Sequence, residues 1–418
     1  MNRRRFLKYA GATAAVVGAS ALGFDYVVSS RSGSMNQTTT TTLSATQPQT
    51  VTESTSVSTV SSRSTREIYR SIEVPENGCY LGAYIGDFPD IHQINEFENK
   101  TGRKLAIIEL YYPFFEYHSD GNFTTPSNFP TDYLEEYAKN DHTVLINWSP
   151  VGWNASELQN MNTVTLEDII QGKHDDYLEK WAKDAGRFGY PFFLRFAWEM
   201  NGDWNRHGGP NNFGPNGDLG WDETDDLNKH YGDPTRPDGP ERYVDAWRHV
   251  HDLFRDNGAS NALCVWGPNF QSRPDIHWNA SENYYPGDEY VDWIGFSLYN
   301  HGYFGDVPSW RSFDTLFNMD PIVSYKMHDK PFMLGEWGCS QRRGPNVDGP
   351  KDQWIADAFD KIRSRYPKIK AACWFSVDKT GYAKDERDWR VDSSPQALLA
   401  YRKAIQDPYF LDEILFEE

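Results

Sequence analysis

A chain of 418 residues with 39% hydrophobic and 15% aromatic residues can bury a large core, and 60 Asp and Glu against 41 Lys and Arg give it a formal net charge of −19. That balance argues against nucleic acid and anionic membrane surfaces as partners, because both select for basic patches; a neutral or cationic substrate fits. Four cysteines, Cys79, Cys264, Cys339 and Cys373, are too few for a disulfide scaffold and show no zinc-ligand spacing.

The N-terminus reads Arg3-Arg4-Arg5-Phe6-Leu7-Lys8, followed by an Ala- and Gly-rich apolar run from Tyr9 to Phe24. Twin arginines before a modest apolar stretch resemble a twin-arginine export signal, assigned to residues 1–28, and the run is short for a membrane span. The protein is therefore expected to be secreted or held at the cell surface. Residues 29–73 are dominated by Ser, Thr and small residues, too few of them apolar to offset ordering entropy, and read as a linker. The folded domain is assigned to 74–418.

Within it, eight apolar, β-rich runs recur: Tyr80–Gly86, Lys104–Leu110, His142–Trp148, Tyr190–Trp198, Asn261–Gly267, Val291–Ser297, Pro331–Trp337 and Lys370–Ser376. Most are continuous rather than alternating, as expected for strands buried on both faces. Helical patterns lie between them at Asp132–Asn140, Leu166–Phe188, Glu241–Asn257, Phe313–Met327, Asp352–Arg365 and Ser394–Ile405. Thr165 supplies a capping signal and Gly258 a stop. Eight such alternations predict an α/β fold, a (β/α)8 TIM barrel. Closure would bring the first and last strands together, and a Cys79–Cys373 disulfide is a further expectation. Asn205–Pro240 is too rich in Gly, Asn, Asp and Pro to be an element and is read as a loop after the fourth strand.

Chemistry in such barrels sits where strands end. Glu199 closes the fourth run in Arg195-Phe196-Ala197-Trp198-Glu199-Met200-Asn201-Gly202, and Glu336 closes the seventh in Gly335-Glu336-Trp337-Gly338. A carboxylate at the tip of a buried strand is costly unless something uses it or pairs with it. Two readings are open: a catalytic pair facing one cleft, or structural carboxylates paired with a cation such as Arg195.

These motifs resemble glycoside hydrolase family 26, β-mannanases and related β-glycanases on retaining (β/α)8 barrels. Further landmarks are Leu81-Gly82-Ala83-Tyr84, Asn147-Trp148-Ser149-Pro150, Val265-Trp266-Gly267-Pro268-Asn269 and Gly295-Phe296-Ser297-Leu298-Tyr299-Asn300. The resemblance implies Glu199 as acid/base, Glu336 as nucleophile and Tyr299 as a hydrogen-bond donor to the nucleophile. It also implies Trp374 as the aromatic floor under the sugar, with Trp148, Trp198, Trp204 and Trp266 around it and Arg195 and Asn269 hydrogen-bonding nearby. His207 and His301 fall in loops on the same side and are read as solvated. The family usually has His before the acid/base; here Trp198 stands there, which weakens the inference to mannose.

The implied protein is a monomeric retaining endo-β-glycanase acting on a polysaccharide. β-1,4-Mannan ranks first, with β-1,3-1,4-glucan and β-1,3-xylan next. A non-catalytic sugar-binding barrel is the reading from another class. No cofactor, metal or integral membrane partner is expected, although the Asp-rich stretch from Asp222 to Asp226 leaves room for a structural calcium.

Overall fold

The computed structural model describes residues 71–116, 125–150, 164–205, 207–209, 239–304, 307–342, 350–380 and 387–417. The export signal, almost all of the linker, Asp222 to Asp226 and most of the Asn205–Pro240 loop lie outside them. Ser71 to Glu73, assigned by sequence to the linker, pair with the C-terminal residues: Ile72 forms an antiparallel bridge with Phe416, and Glu73 N donates to Leu415 O at 2.8 Å.

Eight parallel strands follow one another around a closed barrel: β1 Cys79–Tyr84, β2 Ile107–Pro113, β3 Thr143–Ser149, β4 Phe192–Phe196, β5 Ala262–Trp266, β6 Trp293–Asn300, β7 Phe332–Cys339 and β8 Ile369–Phe375. β8 pairs with β1, Gly82 opposite Cys373 and Tyr84 opposite Phe375, which closes the ring. The expected (β/α)8 TIM barrel is the fold.

The surrounding helices start and stop on local chemistry. α1, Ile91–Thr101, begins at a reciprocal cap between Asp90 and Gln93 and ends at Gly102 with φ 81°. α2 is Thr131–Lys139. Leu166–Phe188, read from sequence as one helix, is two: α3 Leu166–Ile170, capped by Thr165, and α4 Asp175–Phe188, with Gly172 at φ 72° between them. α5, Gly239–Asp256, is stopped by Gly258 at φ 82°. Phe313–Met327 also divides, into α6 Phe313–Phe317 and α7 Asp320–Met327, where Pro321 opens the second helix because it has no N–H to give the first. α8 Lys351–Ser364 and α9 Pro395–Ile405 complete the ring.

Side chains alternate along each strand between the helix layer and the barrel interior. The interior is filled in tiers. Tyr80, Ile107, Leu145, Phe193, Val265, Trp293, Met333 and Cys373 belong to the apolar cluster that closes the bottom. Above them lie Glu109, Asn147, Arg195 and Ser297, all 0% exposed. Tyr84, Tyr111, Trp198, Phe375 and Trp389 form an aromatic cluster at the mouth. The polar tier thus sits between an apolar plug and an aromatic rim.

The expected Cys79–Cys373 bridge does not form. All four cysteines are free and buried, and Cys79 packs with the helix-side core while Cys373 lies inside the barrel. Neighbouring strands brought the two close, but Cys373 stands opposite Gly82, three residues from Cys79, so the thiols face different layers.

Candidate active site

Glu336 owes its direction to an irregularity in β7. Leu334 pairs with Phe296 of β6, yet Glu336 pairs with the next residue, Ser297, so Gly335 is left over. One surplus residue reverses the alternation. Met333 faces inward, Leu334 outward, then Glu336 inward again and Trp337 outward against Trp354 and Phe359.

The partner of Glu336 is the guanidinium of Arg195, which is wholly buried. Its Nη1 lies 2.7 Å from Glu336 Oε1 and 3.1 Å from Asn147 Oδ1, and its Nη2 donates to Ser297 Oγ at 2.9 Å and Gly267 O at 3.3 Å. Four strand ends therefore converge on one cation. The room for it comes from glycine: a Cβ at Gly267 would stand 2.0 Å from Arg195 Nε, and one at Gly335 3.2 Å from its Cζ. The other oxygen, Glu336 Oε2, accepts from the Tyr299 hydroxyl at 2.9 Å, and the carboxyl is 5% exposed.

Glu199 lies three residues past the end of β4. Ala197 and Glu199 both adopt positive φ, 45° and 54°, a region that disfavours side chains, and the Glu199 N–H is tied to Gly267 O at 2.7 Å. This strained turn delivers the carboxyl to the mouth, where it accepts from Asn269 Nδ2 at 2.9 Å and Trp204 Nε1 at 2.7 Å. Burial, then the charge of Glu336, pushes its pKa up against the opposing pull of Arg195 and its hydrogen bonds. Two neutral donors serve Glu199; a guanidinium serves Glu336.

Of the residues expected to surround the sugar, Tyr299, Trp204 and Asn269 hold the two carboxyls, and Trp198 lies in the mouth cluster, 5.5 Å from Tyr111 between ring centroids. Arg195 is not a sugar ligand but the buried counter-ion of Glu336.

Trp148, Trp266 and Trp374 are corrections: each is 0% exposed and turned toward the helices. Trp148 stacks on Trp181 at 4.3 Å, Trp266 donates to Tyr284 O at 3.0 Å, and Trp374 packs on Trp337 at 4.8 Å and donates to Trp389 O at 3.0 Å. Alternation is the reason, since Asn147, Val265 and Phe375 beside them take the interior positions. The rings that do reach the mouth are Phe375 and Trp389, the latter 5.0 Å from Tyr299. His207 is also a correction: it is 3% exposed and joins its Nε2 to Trp198 O at 2.7 Å, with burial pushing its pKa down to about 4. His301 is half-buried, its Nδ1 2.8 Å from Arg387 Nη1.

Sequence reasoning missed Glu109, a third carboxyl inside the barrel, whose Oε1 accepts from Asn147 Nδ2 at 2.7 Å. A lone Glu within the apolar run Ile107-Ile108-Glu109-Leu110 was the available signal. Among the described residues no group of three His, Cys, Asp or Glu stands together to hold a metal.

A parallel barrel that gathers a guanidinium-paired glutamate from β7 and a strained-turn glutamate after β4 at one mouth has the layout of a glycoside hydrolase barrel. The model of glycosyl hydrolase family 26 matches residues 156–327, so this stretch of the chain is similar to that family. The chain is 31% identical over 340 residues to Endoglucanase H of Acetivibrio thermocellus, covering 81% of this chain and 31% of that one. It is 21% identical to a β-1,3-xylanase of a Vibrio species, over 59% of this chain and 50% of that one. The chain thus spans 31% to 50% of these relatives' lengths. A β-mannanase structure of the family from Bacteroides ovatus shares the fold with a TM-score of 0.51 and 16% identity, over 80% of this chain and 90% of that one.

Gly267→Ala is expected to lower stability by about 1–3 kcal/mol, since the added methyl overlaps the immobile Arg195 stem, whereas Gly258→Ala meets open space and costs only its φ strain. Chemical denaturation of the two variants checks this; equal losses would remove the claim that Gly267 exists to admit Arg195.

Proposed function

We propose that the protein is a retaining endo-β-glycanase, with Glu336 as nucleophile and Glu199 as acid/base. The observation that carries this reading is the contrast between the two carboxyls at one mouth. Glu336 is ion-paired with Arg195 and oriented by Tyr299, while the pKa of Glu199 is raised in a pocket of neutral donors. Pairs whose surroundings push their protonation apart are what acid/base assignments rest on.

In the first step Glu199 donates its proton to the glycosidic oxygen as Glu336 attacks the anomeric carbon, breaking the C–O bond and forming a glycosyl ester. Asn269 and Trp204 then stabilise the Glu199 carboxylate left behind. In the second step that carboxylate takes a proton from water, whose oxygen displaces Glu336. Retention by this route calls for carboxyls roughly 5–5.5 Å apart, with no water between them. The aromatic mouth offers faces for the C–H side of sugar rings.

For the substrate, the 31% identity to an endoglucanase supports a β-1,3-1,4- or β-1,4-glucan. The second reading is β-1,4-mannan, which rests on the family resemblance and is weakened by Trp198. Export rests on the arginines at 3–5: replacing all three by Lys should leave the enzyme in the cytoplasmic fraction of an exporting bacterial host, and unchanged export would dismiss the signal.

Sugar release from lichenan, cellulose, galactomannan, glucomannan and β-1,3-xylan names the polymer. Glu336→Gln should lower kcat by at least about 10³-fold, and Glu199→Ala should be rescued by azide with formation of a β-glycosyl azide. No release from any polymer, with binding intact in both variants, would favour a sugar-binding barrel instead; an α-azide would overturn retention. A second outcome concerns pH. The Trp204 indole N–H favours the ionised form of Glu199, so Trp204→Phe should raise the Glu199 pKa and move the alkaline limb of kcat/KM to higher pH. A limb that stays in place would separate Trp204 from the acid.

A further inference from the structure

The polar tier under the mouth holds more acid than the proposed reaction uses. Glu109 and Glu336 are both buried carboxyls, and the cation they face is the single guanidinium of Arg195. That guanidinium sits directly on Glu336. It reaches Glu109 only through Asn147, whose Oδ1 accepts from Arg195 Nη1 at 3.1 Å and whose Nδ2 donates to Glu109 Oε1 at 2.7 Å. The amide is therefore fixed in one orientation by its two neighbours. Glu109 itself is 0% exposed and cannot touch a sugar in the mouth.

Resting on the assignment of Glu336 as nucleophile, we propose that Glu109 is a positioning residue that works as an uncharged acid: through Asn147 it holds the Arg195 guanidinium against the nucleophile without adding a second negative charge to the barrel interior.

The groups around Glu109 support the neutral form. Tyr84 faces it from β1, Tyr111 from its own strand, Asn147 from β3, Arg195 from β4, Tyr299 from β6, Glu336 from β7 and Cys373 from β8. β5 brings Gly267 and no titratable side chain to this tier. Burial, followed by repulsion from Glu336, pushes the Glu109 carboxyl well above its ordinary range against the pull of Arg195, Asn147 and Tyr111. Two buried anions on one guanidinium would leave a net charge with no solvent to receive it. An ionised Glu109 would also compete with Glu336 for Arg195. A neutral acid avoids both and still presents a carbonyl-type oxygen to Asn147.

Glutamine has the same shape and the same acceptor but cannot ionise, so it separates this role from a charged one. Glu109→Gln should keep kcat within about threefold of the parent, while Glu109→Ala, which leaves Asn147 Nδ2 unpaired and the Arg195 fork loose, should lose about 100-fold in kcat with KM little changed. Equal losses in both variants would overturn the proposal, because they would mean that the charge itself is needed.

The second readout does not depend on activity. Stability linked to a raised carboxyl is fully present below the unfolded value of about 4.5 and is lost as pH climbs toward the folded-state value, since the unfolded chain releases a proton that the folded one keeps. The thermal midpoint of Glu109→Gln should therefore gain on that of the parent as pH rises from about 4.5 toward 8. A midpoint difference constant over that range would overturn the uncharged state even if the enzyme reading stands. A parent without glycanase activity would remove the nucleophile assignment while leaving the pH-dependent stability intact.

Discussion

The ion pair between Arg195 and Glu336 is the contact around which the barrel interior is arranged. A guanidinium with no exposed surface needs acceptors, and here its two terminal nitrogens find them on Asn147 of β3, Gly267 after β5, Ser297 of β6 and Glu336 of β7. Breaking one partner of such a pair leaves an uncompensated buried charge, which is far more costly than the pair is stabilising. The glycines at 267 and 335 have a common explanation in that cation: both make room for it, and Gly335, as the surplus residue of β7, also turns the carboxylate toward it.

The second carboxyl is placed by opposite means. Glu199 hangs from a short turn with two positive-φ residues, and its hydrogen bonds come from an amide and an indole. Strain of this kind persists only where surrounding structure over-determines it, and Gly267 supplies that constraint by accepting from the Glu199 N–H while its carbonyl also meets Arg195. A single carbonyl oxygen thus links the supports of both carboxyls, so neither can shift without disturbing the other.

The barrel and the likeness to family 26 leave what binds at the mouth to the rim. The residue before Glu199 is Trp198, and its ring joins Tyr111 and His207 instead of presenting a small polar group. With Phe375, Trp389 and Tyr84 it makes a rim that is largely aromatic, a surface suited to ring faces more than to reading individual hydroxyls. His207 supports the Trp198 backbone from behind, which accounts for a buried neutral imidazole in a loop that the sequence suggested was wet.

The sequence by itself determined the eight strands, their order and the two glutamates at the ends of the fourth and seventh, because long apolar runs and a costly charge at a strand tip are local signals. It also singled out Tyr299 as a donor to Glu336, and Trp204 and Asn269 as neighbours of the sugar and not as the donors that hold Glu199. What it left open was which way each side chain points. Strands covered on both faces are apolar throughout, so their composition carries no alternation from which to read inside from outside. Trp148, Trp266 and Trp374 were therefore assigned to the cleft when they belong to the helix-side core, and the inward Glu109 passed unnoticed in a hydrophobic run. The helix breaks at Gly172 and Pro321 were legible in principle and were overridden by the period of the pattern. Only the tertiary structure decided the parity, since barrel closure sets one face of every strand inward, and the one-residue surplus at Gly335, invisible to any periodicity, turns Glu336 onto Arg195.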